Sequence, residues 1–395
     1  FESDEKPAGS GIPPTESRLE SRVVAPEQYP RIWIERHIPA ESRHTAMREV
    51  FAGRSPAFDR AFEALRARRR APEITGWDGL VGGSRISNLL PDFVPVTDLE
   101  EYAKCPFNYL LHRLLKTEPW EEPEAVIEPP PQLIGTLIHR VLKKFYEQAK
   151  NEHRIPLTGE HLDWAKAVLA QTLRGELRRS AALQPAPGAV WSVTANALET
   201  RLTTLAHRLC ADDTRFQVIE LEKEFAKRIA FEMDDGRFVL PLRGRIDRLD
   251  KPASEDAVRI VDYKTGTHVQ TPGKFNGGTN LQLPIYLQAS LDDPAITDPE
   301  ACSALYLQID PYGAVKKFEL TGGQLNARCL ELGALVKALA EGINRGLFPP
   351  LPYSVNLCST CSSHQACDLF SRAKCSGRLG DDPLLEPIRS AREIE

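Results

Sequence analysis

The stretch RIVDYKTGTH, Arg259 to His268, decides how the chain is read. Ile260 and Val261 form an apolar strand run, and Thr265-Gly266 is a turn signal. Where the run ends, Asp262 and Lys264 stand two residues apart. Side chains alternate along a strand, so the carboxylate and the ammonium project on one face and Tyr263 on the other. An isolated Asp-x-Lys is ordinarily a strand-end ion pair, because short motifs match by chance. What surrounds it decides whether this one is more.

Working outward, FQVIELEKEFAKRIAF (216–231), RFVLPLRGRIDRLD (237–250) and AVRIVDYKT (257–265) read as strands. The first two are joined at Asp235-Gly236, a hairpin signal. A helix is expected from Leu281 to Ser290, strands at 302–309 and 314–320, and a long helix at 322–345. Upstream, Thr97 with Glu100 three residues on reads as a capping box. It opens a helix carrying Leu99, Tyr102, Phe107, Leu110 and Leu114. GTLIHRVLKKFYEQAK, 135–150, is an amphipathic helix, and helical patterns follow around 160–180 and 190–210. The central order α-β-β-β-α-β predicts an α/β fold with a small mixed sheet flanked by helices.

The whole chain sets bounds on these elements. Its 395 residues hold two ordinary domains, or one large domain with appendages. Hydrophobic residues make up 42%, enough for a core, and the net charge of −5 excludes a uniformly basic nucleic-acid binder while leaving room for a local basic groove. No apolar run reaches the roughly 18 residues a membrane span needs, and no signal peptide is read. The first residue is Phe rather than Met, so the sequence is expected to be a piece of a longer or processed chain. Residues 1–44, rich in Pro, Ser and charge, are expected to be flexible apart from an apolar patch at 31–38. Residues 45–95 are expected to be a helical linker or the end of a preceding domain, 96–375 the compact domain, and 376–395 a C-terminal tail. PGKFNGG at 272–278 is not a nucleotide-binding phosphate loop, and none occurs elsewhere, so any ATP-driven motor is expected outside this sequence.

Asp247 lies in GRIDRLD, towards the end of the second central strand. In a suitable register the carboxylates of Asp247 and Asp262 meet, and two acidic groups at a strand edge form a hard-ligand site for Mg²⁺ or Mn²⁺. Lys264 beside them can orient or deprotonate a water, or stabilise developing negative charge. Those parts suit metal-assisted phosphodiester hydrolysis. His139, at the border of an apolar helix face one turn after Gly135, offers an imidazole ligand. Gln282 and Tyr286 share a helix face, as an ordinary polar rim or as the lining of a nucleic-acid path. Arg113, Lys116, Lys143, Lys144, Arg243, Arg245 and Arg248 are candidate phosphate contacts.

Taken in order, G-x-x-x-H (Gly135–His139), G-R-I-D-R-L-D (Gly244–Asp250), V-D-Y-K-T-G (Val261–Gly266) and Q-x-x-x-Y (Gln282–Tyr286) resemble the PD-(D/E)XK nucleases of the RecB and AddB type. The resemblance covers about 97–370 and implies a restriction-endonuclease-like core. It implies that His139, Asp247 and Asp262 are metal ligands joined by the Tyr263 carbonyl. Asp247, Asp262 and Lys264 would be catalytic, and Gln282 and Tyr286 would border the substrate. The second acidic position is Asp262 rather than Glu, as is usual in this branch. Glu224, with Glu220 and Glu222 as neighbours, falls near a further acidic position of the family.

Eight cysteines are unevenly spread: Cys210, Cys302 and Cys329 lie singly, while Cys358, Cys361 and Cys367 cluster. In a cytosolic setting such a cluster reads as metal binding. A fourth thiolate is expected from Cys105, ahead of Pro106, with Cys375 as rival. Zinc is the default for four thiolates but favours two close pairs, and iron–sulfur clusters also take four. The family resemblance implies that Cys105, Cys358, Cys361 and Cys367 hold a [4Fe–4S] cluster, which would fasten the far end of the domain to its first helix.

The resulting expectation is a cytoplasmic, metal-dependent DNA nuclease with Mg²⁺ or Mn²⁺ and an iron–sulfur staple. It would act on single strands or duplex ends as the exonuclease part of an AddAB- or RecBCD-like helicase–nuclease system in double-strand-break repair, beside an ATP-driven helicase partner or domain. The competing expectations are a catalytically idle DNA-binding scaffold subunit and a zinc-stabilised interaction module.

Overall fold

The computed structural model describes residues 89–395 except 119–128, 184–187, 213, 253–256, 294–295, 360, 364–366 and 368–381, together with 74–81 and scattered positions from 39 to 67. The chain separates into two units, Phe1–Trp77 and Asp78–Glu395, and everything below belongs to the second. In the first, scattered positions from Thr45 to Ala67 are helical, whereas the 31–38 patch lies outside the described residues.

Strand β1 (Val94–Pro95) runs straight into helix α1 (Val96–Lys104). A short helix α2 (Pro106–Tyr109) follows, then α3 (Pro131–Asn151), α4 (Leu162–Leu183) and α5 (Gly188–Asp212). Next come the long strands β2 (Phe216–Met233) and β3 (Gly236–Pro252), then β4 (Arg259–Lys264), helix α6 (Gln282–Leu291), β5 (Ser303–Ile309) and β6 (Val315–Thr321). Helices α7 (Gly322–Asn326), α8 (Cys329–Asn344) and α9 (Glu386–Arg392) close the chain. The expected α/β fold with a small mixed sheet is present.

Among the described residues the sheet has six strands, and β3 is its spine. One edge of β3 pairs antiparallel with β2 along nearly its whole length. The other edge is shared: β1 pairs parallel at Leu242 and Arg243, and β4 pairs antiparallel at Arg248 to Asp250. Beyond β4 come β5 in parallel and β6 antiparallel. On one face of β4, Val261 and Tyr263 join a core with Leu305, Leu307 and Ile309 of β5, covered by α3, α4 and α5. Helix α3 supplies Leu137, Ile138, Val141, Leu142, Phe145 and Tyr146, all buried, at the three- and four-residue spacing of one helix face. Asp262 and Lys264 project from the opposite face, as strand alternation requires.

Three local expectations change for physical reasons. The Thr97 capping box does not form: the N-cap of α1 is Pro95, held extended at the end of β1, so Thr97 already lies in the first turn. Glu100 is thereby free for another helix. Cys105 is extended (φ −164°, ψ 110°) and separates α1 from α2, because the residue before a proline is driven out of the helical region. The helix expected at 322–345 is two, broken at Arg328. Its opening is a true capping box, with Thr321 accepting from the Gln324 amide and Gln324 from the Thr321 amide.

Gly244 shows how closely β3 and α6 approach. A Cβ there would stand 2.6 Å from Tyr286 Cε1 and 2.8 Å from the Phe225 ring. Those two rings meet edge-on at 5.4 Å, so neither has room to retreat. Gly175, inside α4, has nothing within 4 Å of the same added atom. Gly244→Ala is expected to lower unfolding free energy by about 1–3 kcal/mol, and Gly175→Ala to raise it by roughly 0.5–1 kcal/mol. Urea unfolding of the two variants checks the opposite signs.

Candidate active site and cysteine cluster

The site grows from the place where β3 and β4 part. Their ladder pairs Asp250 with Arg259, Leu249 with Ile260 and Arg248 with Val261, so the next step sets Asp247 opposite Asp262. There the backbone ladder stops and a side chain takes over: the Tyr263 N–H donates to Asp247 Oδ2 at 3.0 Å. The β2–β3 register, Leu221 with Arg248 and Lys223 with Ile246, brings Glu222 opposite Asp247 from the other side. Glu222 has left-handed backbone (φ 52°), unfavourable for a residue with a side chain. Three carboxylates thus stand abreast on three neighbouring strands.

His139 completes the group from α3. Its Nδ1 lies 3.3 Å from Asp247 Oδ2 and its Nε2 lies 3.0 Å from the Tyr263 carbonyl oxygen. Ligand atoms of His139, Glu222 and Asp247 all fall within 4.8 Å of one another, a spacing a single cation can span. Asp262 is not in that closest group; its Oδ2 lies 2.7 Å from Lys264 Nζ. That oxygen is buried, and although it is ion-paired it meets no hydrogen-bond donor in line. Lys264 Nζ also donates to Gln282 Oε1 at 2.8 Å and sits 4.9 Å from the centre of the Tyr306 ring.

The electrostatics follow from crowding charges away from water. Burial would depress the His139 pKa, but the hydrogen bond and charge of Asp247, with Asp262 and the Tyr263 carbonyl, outweigh it and raise it. Burial raises the Asp262 carboxyl; the Lys264 charge opposes this and Asp247 adds to it. For Lys264 burial pulls the pKa down, yet the charge and proximity of Asp262 prevail, so the ammonium is held above its usual range. Lys264 therefore stays charged at neutral pH.

These groups line one cleft of about 980 Å³ with Arg140, Lys143, Arg245, His268 and Gln282. A second cleft of about 460 Å³ shares Lys264, His268 and Gln282 with it and continues past Glu100, Lys104, Arg113 and Gln270. Among the expected residues, Asp247, Asp262, Tyr263, Lys264, His139 and Gln282 thus converge. Tyr286 does not line either cleft: it is buried at 4% exposure against Phe225, over Gly244. Helical spacing places it under Gln282, but its bulk fills the gap that Gly244 leaves. Glu224 is exposed and paired with Arg245 in the ladder, and Glu220 is 2.6 Å from Lys223; Glu222 is the acidic residue of β2 that reaches the site.

The candidate phosphate contacts divide. Arg245 and Lys143 line the first cleft and Arg113 the second, while Arg243 and Lys116 are exposed. Arg245 also pairs with Glu222 at 2.9 Å. Lys144 pairs with the buried Glu176 of α4, which also faces Arg140 at 3.4 Å. Arg248 is no surface cation: it is 1% exposed. Its Nη2 donates to Asp250 Oδ2 at 2.9 Å, its Nη1 reaches the Tyr146 and Tyr263 hydroxyls, and Arg259 closes on the same Asp250 oxygen at 2.6 Å. Long-range partners of this kind leave no mark in local sequence.

At the other end of α1, folding brings the four cysteines into mutual range. Burial pushes the Cys105 thiol up to about 11, and the charges of Cys367 and Cys361 add to the rise. Cys358 is raised by burial and then by Cys361 and Cys367. The loop carrying them docks on α2 and the helical turn Leu110–Leu114 that follows it, where Ser363 Oγ donates to Asn108 Oδ1 at 2.8 Å and lies 2.8 Å from His112 Nε2. Cys375 lies outside the described residues.

A sequence profile described as the PD-(D/E)XK nuclease superfamily matches residues 94–368. Curated relatives named as subunits of an ATP-dependent helicase/deoxyribonuclease are similar at lower identity. The one from Clostridium perfringens (strain SM101 / Type A) is 24% identical over 280 residues, covering 67% of this chain and 24% of the relative. Those from Clostridium novyi (strain NT) and Lactococcus lactis subsp. cremoris (strain SK11) are 30% and 25% identical over 239 and 233 residues, covering 55% and 56% of this chain and 20% of each relative. The chain therefore spans a quarter or less of the length of these relatives.

The contrast between Arg248 and Arg245 is open to measurement. Arg248→Ala leaves Asp250 buried with half of its neutralising charge gone and is expected to cost about 3–5 kcal/mol of stability. Arg245→Ala, at an exposed ion pair, is expected to change stability by less than about 1 kcal/mol. Chemical denaturation of both variants gives the comparison.

Proposed function

The chain belongs to the PD-(D/E)XK nuclease superfamily, and on that footing we propose that it hydrolyses DNA phosphodiester bonds with a divalent cation held at the β3–β4 fork. The observation that carries the reading is the convergence of Asp247, Asp262, His139 and the Tyr263 carbonyl beside a charged lysine in one cleft. The donor set fits a hard cation: carboxylates, a carbonyl and one imidazole. The Asp262 carboxylate is buried with Asp247 crowding it and Lys264 beside it at 2.7 Å, so a divalent cation would neutralise the second negative charge. His139, Asp247, Asp262 and the Tyr263 carbonyl would hold the ion, with Glu222 as a further carboxylate. Once bound, Mg²⁺ or Mn²⁺ would supply Lewis acidity, easing loss of a proton from water and neutralising the leaving oxygen.

The chain's own residues account for the rest. Lys264 stays an ammonium and stabilises the negative charge that builds on phosphate oxygens as water attacks phosphorus and one P–O ester bond breaks. Gln282 accepts a further hydrogen bond from that ammonium at 2.8 Å. Arg140, Lys143 and Arg245 line the cleft and offer contacts to the backbone of a DNA strand. The helicase in the name of the relatives, and the lack of a phosphate loop in this sequence, support a helicase partner or domain outside it. In that setting the enzyme works in the cytoplasm, on single strands or duplex ends. No described helix is long and apolar enough to cross a membrane.

At the cysteines we propose a [4Fe–4S] cluster on Cys105, Cys358, Cys361 and Cys367. A cluster of this kind takes four thiolates, the number these residues supply. The mutual opposition of their charges calls for a cationic centre. The group would supply a covalent tie between the end of α1 and the 358–367 loop.

Two measurements check these assignments. With Mg²⁺ and a radiolabelled single strand, Asp262→Asn and Lys264→Ala are each expected to lower kcat by about a hundredfold or more. Unchanged cleavage in either variant removes the catalytic assignment, and an inactive native protein that still binds DNA supports the idle scaffold. Protein purified without oxygen is expected to be brown, with broad visible absorbance and about four irons per chain. Cys361→Ser is expected to lose both, and a colourless protein containing zinc contradicts the cluster.

A further inference from the structure

We infer that Glu100 is a positioning residue for Lys264, acting through the start of α6 and through Gln282. The inference rests on the nuclease reading given above. Helix α6 has Leu281 at its N-cap, a residue with no side-chain acceptor to offer the first amides of the helix. Glu100 provides one from far along the chain. Its Oε1 accepts the Leu281 N–H at 2.7 Å and the Gln282 N–H at 2.9 Å. The carboxylate is 8% exposed, and it comes from α1, which is fixed at one end by β1 and on its buried face by the Tyr102 hydroxyl donating to the Leu347 carbonyl at 2.7 Å. A buried carboxylate without such donors would be strongly disfavoured, so this pairing explains why an acid sits on the inner face of α1.

The residue whose backbone Glu100 holds is the one whose side chain holds the lysine. Gln282 Oε1 accepts from Lys264 Nζ at 2.8 Å, while Asp262 Oδ2 holds the same nitrogen at 2.7 Å. Asp262 alone would leave the ammonium free to swing about the carboxylate; a second acceptor in a fixed place sets its direction. Gln282 can do so only if the first turn of α6 is itself fixed, and two bonds to one buried oxygen fix it. Helix α1 ends at Cys105, five residues after Glu100, so the same helix joins the cysteine cluster to the lysine.

The test uses the full chain. With Mg²⁺ and a single-stranded oligonucleotide, Glu100→Ala is expected to lower kcat about tenfold, with KM and Ca²⁺ affinity changed by no more than about twofold. Glu100→Gln, which can still accept both N–H groups, is expected to recover kcat to within about threefold of the native value. In a Gln282→Ala background, adding Glu100→Ala is expected to cost less than about threefold more, because both lesions break one linkage. A further loss of about tenfold there, or a Gln variant as impaired as Ala, overturns the inference. Should Glu100→Ala not fold, Glu100→Asp, one methylene short of the two amides, replaces it with the same expectation.

A second readout does not depend on cleavage. Limited acylation followed by mass spectrometry compares Lys264 with Lys144, which pairs with the buried Glu176 elsewhere. Glu100→Ala is expected to raise the Lys264-to-Lys144 labelling ratio about fivefold, as lost protection of a held amine. An unchanged ratio overturns the inference. If the native protein cleaves no DNA, the nuclease reading fails, and the labelling ratio still decides the Glu100–Gln282–Lys264 linkage.

Discussion

Everything at the site depends on one hydrogen bond, from the Tyr263 amide to the carboxylate of Asp247. Two antiparallel strands that part normally leave their next amides to water. Here a side chain from one strand catches the amide of the other, and several consequences follow. The Tyr263 carbonyl is free to face His139, Asp247 is pinned beside Asp262, and the strand ends open into a cleft rather than closing on themselves. A carboxylate bound to a backbone amide is held in direction as well as place, which is what a ligand or a catalytic base requires.

The adjoining residue shows how fine the division is. Asp247 faces the cleft, and Arg248, next in the chain, is buried among Tyr146, Tyr263 and Asp250. Because strand side chains alternate, a slip of one residue in this register would send the arginine into the cleft and the aspartate into the core. The Arg248–Asp250–Arg259 group resists such a slip, since each member is buried and the two guanidinium groups meet Asp250 Oδ2 only in the observed pairing. The ionic pairs on the two sides of β3 and β4 thus do different work: one fixes register, and the other remains exposed to a cleft where charge can change.

Much of this was legible in the residues. The order of elements, the strand of Asp262 and Lys264, and the helix of His139 follow from periodicity, because each element is long and strongly patterned. What failed to show depended on contacts distant in sequence. Arg248 resembled Arg243 and Arg245, with which it shares a strand, and only Tyr146 and Arg259 reveal it as a core residue. Tyr286 shared a helix face with Gln282, yet the missing side chain at Gly244 draws its ring inward. Glu100 fitted a capping box for its own helix and caps another, 181 residues on. The signal available was an acid between Leu99 and Tyr102 on an apolar face, which demands a buried donor. Glu222 could not be separated from Glu220 and Glu224 by counting, because the β2–β3 register, shifted between Val218 and Glu220, decides which of the three stands opposite Asp247.

The central claim is that the fork of β3 and β4 is built to grip a divalent cation. Crystals of the protein soaked in Mn²⁺ and measured near the manganese absorption edge test it most directly. The account predicts an anomalous peak within bonding distance of Asp247, Asp262, His139 and the Tyr263 carbonyl. A map with no peak there, and manganese bound only elsewhere on the molecule, would contradict it.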